Sequence, residues 1–138
     1  QHPVFDPRVL WLGVPSSVLI ATILSVNNAC DLVGDRRAGR RTLAIVLGHD
    51  GAARLILAQA ALTLAAAVAL IPLGVLPASG LVPLALAALF GARTLAAMHR
   101  RGYSHAGKAA AMGGVSAVFL AYTLALLLAI ALAAFEAR

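Results

Sequence analysis

Polar and apolar positions are segregated along the chain into long blocks. Residues 9–30, 55–92 and 109–135 carry no Asp, Glu, Lys or Arg. A helix needs about 20 mainly apolar residues to cross the hydrocarbon core of a bilayer. The first and third blocks each predict one span, and the middle block is long enough for two. Pro72, Gly74, Pro77, Gly80 and Pro83 crowd one short window inside that middle block. Proline removes a backbone donor and glycine costs entropy in a helix, so the block divides there. The pattern predicts four helices, at about 9–30, 52–71, 81–99 and 108–135, with Pro15 bending the first.

Composition agrees. The chain is 62% hydrophobic and 12% charged, against about 45–50% and roughly 25% in soluble domains. Too few polar groups are present to cover a globule, and one cysteine, Cys30, excludes an intrachain disulfide. The expected fold class is all-α: a polytopic transmembrane helix bundle with four membrane-spanning helices, forming a single domain over residues 1–138. The first block is too long for a signal h-region and lacks a basic flank, so it reads as a span. In the last helix, Ala109, Gly113, Ala117, Ala121, Ala125, Ala129 and Ala133 recur every fourth residue. Small residues let helices approach closely in lipid, so this stripe reads as a packing face.

The charges between the blocks give an orientation. Arg36, Arg37, Arg40, Arg41 and Arg54 lie in the first connection, none in the second, and Arg100, Arg101 and Lys108 at the third. Basic residues mark the cytoplasmic side of short loops. Connections one and three are expected inside, with the second connection and both ends outside, in a bacterial inner (cytoplasmic) membrane. The net charge of +6 is thereby absorbed by topology. No stacking aromatics accompany the Arg cluster, so a nucleic-acid partner is not expected. Trp11, His49 and His99 read as interfacial residues. The third connection reads as a positive-inside loop, with Tyr103 and His105 as candidates to lie near a substrate.

One stretch, residues 27–48, stands apart. Asn27, Asp31 and Asp35 are four apart, so a helix places them on one face. Like charges at that spacing destabilise a bare helix, and charge beside lipid is costly. A divalent cation removes the conflict. Mg2+ takes oxygen ligands and is often held by one or two carboxylates plus substrate phosphates. Arg36, Arg37, Arg40 and Arg41 follow directly, and guanidinium groups suit phosphate. Carboxylates, amides and guanidinium groups beside apolar helices suit a diphosphate joined to an apolar chain.

The stretch follows N-N-x-x-D-x-x-x-D-R-x-x-G-[KR]-x-T-L-A-x-x-L-G throughout. It resembles the second Asp-rich motif of the UbiA superfamily of intramembrane aromatic prenyltransferases, in its 1,4-dihydroxy-2-naphthoate polyprenyltransferase branch. The 4-hydroxybenzoate branch has a longer Asp spacing. The resemblance implies a nine-helix fold with two Asp-rich motifs on cytoplasmic connections, the second between helices six and seven. Three helices follow that motif in the family and three are expected here, so the chain resembles helices six to nine, the C-terminal part of a larger prenyltransferase. The first motif and helices one to five are the missing N-terminal partners. The implied activity is Mg2+-dependent transfer of a polyprenyl group from an allylic diphosphate to an aromatic acceptor. In this branch the acceptor is 1,4-dihydroxy-2-naphthoate, which loses its carboxylate, in menaquinone biosynthesis. By the resemblance, Asp31 and Asp35 are the catalytic and metal-binding residues. Arg40 faces the diphosphate, Arg36 and Arg41 are further candidates, and Asn27 and Asn28 orient the carboxylates or touch the diphosphate.

Prenyl transfer to another aromatic acceptor, such as 4-hydroxybenzoate, is the alternative within the family, and two readings outside it are open. Asp50-Gly51-Ala52-Ala53-Arg54 resembles the start of a phosphatidyl-alcohol transferase motif but lacks the further Asp residues that motif needs. Asp50 is better explained as a cap of the second helix. A non-catalytic membrane scaffold or transporter subunit would instead line a path with Gln59, Thr63, Ser116, Tyr122 and Thr123.

Overall fold

A computed structural model describes residues 8–136, which contain helices and turns and no strand. The helices are α1 (Arg8–Cys30), α2 (Leu32–Arg37), α3 (Leu43–Ala69), α4 (Leu81–Arg101) and α5 (Lys108–Glu136). All but α2 are long and apolar enough to cross a membrane. The four-span expectation holds, and α1 continues as one helix through buried Pro15. Pro83 falls in the first turn of α4, where a missing N–H leaves no helical bond unmade.

The second span differs from its expected bounds. It begins at Leu43, not near residue 52, because Thr42 caps it: the Thr42 hydroxyl accepts from Ile45 N at 3.3 Å. The helix then breaks at Gly48, with φ 72° and ψ 179°. That region of backbone space is essentially open to glycine alone. Hydropathy loses the early turn because His49 and Asp50 interrupt the apolar run. Asp50 stands exposed two residues past the break, where the main length of the span begins.

Packing is uneven. α1 lies along α3 and α5, and α5 lies along α4, whereas α3 and α4 barely touch. Between those two remains a cavity of about 320 Å³, lined by residues such as Ala60, Leu64, Ala88, Gly91 and Tyr122. Two apolar cores fill the rest. One gathers Val26, Ile56, Leu95, Met98 and Val115 at the charged end. The other gathers Leu19, Leu70, Leu84, Leu126 and Ala129 at the opposite end. Many large apolar side chains, among them Leu24, Val82, Leu86, Leu120 and Leu124, point outward. Lipid or neighbouring helices can cover such a surface without the penalty water would impose. Hydroxyls inside the spans bond their own helix: Thr22 to Val18 O, Thr63 to Gln59 O and Thr123 to Phe119 O, each at 2.9 Å. The donor hydrogens of Thr63 and Thr123 are thus satisfied locally.

The small-residue stripe is only partly a packing face. Ala125 and Ala129 are buried, but Ala109, Gly113 and Ala117 are exposed. A step of four residues advances about 400°, so a stripe at that spacing winds around the helix by about 40° per step. The buried face instead runs through Ala111, Val115, Val118, Tyr122, Ala125 and Ala129. The tightest approach in the uncharged end is Gly80, where an added Cβ would lie 3.0 Å from Ala129 Cβ and 3.7 Å from its Cα. Ser79 Oγ donates to Glu136 Oε1 at 2.6 Å beside it. Gly80→Leu is expected to destabilise the purified protein by about 1–3 kcal/mol, measured by unfolding in detergent. Gly113→Ala, which meets nothing within 4 Å, is expected to leave the transition in place.

Candidate active site

The motif lies where α1 passes into α2. Asp31 sits at the junction with φ −94° and ψ 3°, yet the hydrogen-bond ladder continues through it. Asp31 N donates to Asn27 O at 3.1 Å, and Asp35 N donates to Asp31 O at 2.8 Å. Asn27, Asp31 and Asp35 therefore occupy successive turns of a nearly continuous helix, as their spacing predicts.

Asp35 is neutralised by the chain that follows it. At the end of α2, Gly39 N donates to Arg36 O at 3.2 Å and Arg40 N donates to Asp35 O at 2.9 Å. Gly39 has φ 71°. This is a Schellman ending, with glycine in the left-handed conformation that the motif requires. The turn brings Arg40 back over Asp35, and Arg40 Nη1 donates to Asp35 Oδ1 at 3.0 Å. The Asp35 side chain is 9% exposed while that of Arg40 is 70% exposed. The guanidinium thus covers a buried carboxylate and keeps most of its own donors in the open.

Asp31 is neutralised from far away in sequence. Lys108 Nζ, at the start of α5, donates to Asp31 Oδ2. His105 Nδ1 lies 3.1 Å from Asp31 Oδ1, donating when that nitrogen carries the proton. Tyr103 anchors this connection, its ring buried in the core at the charged end; burial pushes its hydroxyl above its ordinary value. Gly107 N donates to Ser104 Oγ at 3.2 Å and closes the turn before α5.

The sequence-predicted residues are therefore partly gathered. Asp35 pairs with Arg40, and Asp31 pairs with Lys108 and His105. Asn28 is half-buried and borders a small space with Ser25, Leu43 and Ala52. Asn27 is also half-buried. Arg36 and Arg41 are exposed, and neither forms an ion pair with any described residue. Among the described residues no three His, Cys, Asp or Glu side chains gather into a metal-binding group. Lys108 is the site residue that sequence reasoning misses. Its one distinguishing signal is composition: it is the only lysine among eleven basic residues.

The Asp31 carboxyl is held below its ordinary value of 3.8, first by the hydrogen bond from Lys108 and then by that from His105. Its folded-state value is the lower one, so the contact contributes fully above the ordinary value and is lost as pH falls through the lowered one. Amide-exchange protection across residues 102–108 is expected to persist from neutrality down to about pH 4 and to fall below it. Loss of protection already near neutrality would contradict this origin.

Comparison with known proteins gives the family. Residues 1–112 match the model of the UbiA prenyltransferase family. That region contains α1 to α4 and reaches into α5 past Lys108. A stretch of 59 residues is 36% identical to 1,4-dihydroxy-2-naphthoate octaprenyltransferase of Bacillus subtilis (strain 168). It amounts to 43% of this chain and 19% of that relative, so the chain spans a small part of the relative's length. No solved structure matches. With most of its length covered by the family model, the chain belongs to the UbiA prenyltransferase family.

Proposed function

We propose that this protein contributes to transfer of a polyprenyl group from an allylic diphosphate to an aromatic acceptor, with 1,4-dihydroxy-2-naphthoate as the acceptor in menaquinone biosynthesis. The observation that carries this reading is the pair of neighbouring carboxylates, each held by a separate cation, at one end of an apolar bundle. An ionic head group and a long apolar tail need that division of environments. The partial likeness to a naphthoate prenyltransferase supports the acceptor.

The donor set suits Mg2+ in kind. Asp31 and Asp35 offer hard oxygens from two carboxylates, the number commonly found when substrate phosphates complete the shell. When bound, Mg2+ would supply positive charge to the departing diphosphate. Arg40 keeps free donors for diphosphate oxygens, and exposed Arg36 and Arg41 add charge near the same turn. Asn27 and Asn28 stand one turn before Asp31 and orient what it holds. The apolar helices would keep water away from the allylic carbon as its bond to the diphosphate oxygen breaks, a ring carbon of the acceptor bonds to it, and the acceptor releases its carboxylate as carbon dioxide to restore the aromatic ring. Two carboxylates do not make a whole diphosphate site, so further helices of the same enzyme are proposed to supply the remaining ligands. The motif end is proposed to face the cytoplasm from the inner membrane, a reading supported by the basic connections.

Asp31→Asn and Asp35→Asn in the full protein are each expected to lower Mg2+-dependent prenyl transfer by at least about 100-fold, and Arg40→Met by about tenfold. Membranes are assayed with dihydroxynaphthoate and 4-hydroxybenzoate in parallel. Transfer to hydroxybenzoate alone would replace the acceptor assignment, and full activity in Asp31→Asn would remove the metal assignment.

A further inference from the structure

Lys108 is the first residue of α5. The amino end of a helix carries partial positive charge, so a cation there is unfavourable unless something offsets it. No acidic residue stands in the first turn of α5. The offset comes from Asp31, 77 residues earlier. With Lys108 on one carboxylate oxygen and His105 against the other, both oxygens are engaged by the third connection. The Lys108 side chain is nevertheless 31% exposed. An ammonium has three donors on a flexible stem, and this one makes a single bond to Asp31. Arg40 is placed differently, because the backbone turn ties it to Asp35.

We propose that Lys108 is an exchangeable counter-ion: it holds Asp31 before substrate arrives, yields the carboxylate to a divalent cation, and then positions the diphosphate. The proposal rests on reading Asp31 as a metal-facing carboxylate. An ammonium and a divalent cation on one carboxylate repel each other, so they compete for it. A freed lysine at a helix amino end is then a strong point charge for phosphate.

Competition makes a prediction of sign that a structural role does not. Mn2+ is titrated into the full protein in detergent without diphosphate, and free Mn2+ is read by electron paramagnetic resonance. Lys108→Met is expected to bind Mn2+ about tenfold more tightly than wild type, the scale of one lost charge-assisted competitor. Its KM for prenyl diphosphate is expected to rise about tenfold. Lys108→Arg keeps the charge and is expected to move both values back toward wild type. Unchanged or weaker Mn2+ binding in Lys108→Met overturns the proposal. Thermal unfolding checks each variant, with Lys108→Gln in reserve should the methionine variant fail to fold. Asp31→Asn separates two failures. If it abolishes Mn2+ binding while Lys108→Met leaves the affinity unaltered, counter-ion exchange alone is rejected. If Asp31→Asn binds Mn2+ as wild type does, the metal reading beneath it is rejected.

Discussion

Two carboxylates one helical turn apart at the end of an apolar span are the constraint on which this structure turns. Alone, Asp31 and Asp35 repel each other and are costly to bring beside lipid. The fold answers with two cations of different origin. Asp35 receives Arg40, delivered by the backbone of the same turn, and Asp31 receives Lys108, delivered by the packing of α5 against α1. The first pair forms with the local chain. The second exists only once the bundle has assembled, so formation of the site and closure of the bundle are one event.

Glycine makes the local half possible. Gly39 ends α2 in a left-handed conformation, and that ending aims Arg40 at Asp35. Gly48 breaks α3 soon after it starts, so the chain leaves the motif by a capped turn before it enters the main span. A side chain at either position would meet no atom within 4 Å. The requirement is therefore conformational, not one of space: the positive φ strains any residue with a side chain. Two glycines of the motif are explained by what they do to the backbone.

Much of this architecture is legible in the amino-acid sequence. Charge-free runs locate the four spans because a bilayer demands them, and the i, i+4 spacing of Asn27, Asp31 and Asp35 survives as a helical ladder. Three features are not legible there, each for a physical reason. The early start of α3 is set by the Thr42 cap and the Gly48 break, which hydropathy does not weigh. The small-residue stripe of α5 drifts around the helix, so only Ala125 and Ala129 in its second half are buried. The contact of Lys108 with Asp31 joins residues far apart in the chain. Charge counting treats every cation in a connection alike, and nothing local distinguishes a topological lysine from one that reaches a carboxylate.

The two ends of the bundle differ in the kind of force that holds them. At the uncharged end, Gly80 lies against Ala129 and Ser79 bonds Glu136, so close packing sets the geometry. Packing of this sort admits one arrangement, because small shifts produce overlap or voids. At the motif end the third connection is held by a buried tyrosine ring and by the pairing of exposed His105 and half-buried Lys108 with Asp31. Ion pairs at a wet surface are worth little on balance and can change partners without rebuilding a core. The proposed acceptance and release of a highly charged diphosphate would use that property where the charge arrives and rigidity away from it. The division follows from placing the small charged fraction of an otherwise apolar chain where one end of the bundle meets water.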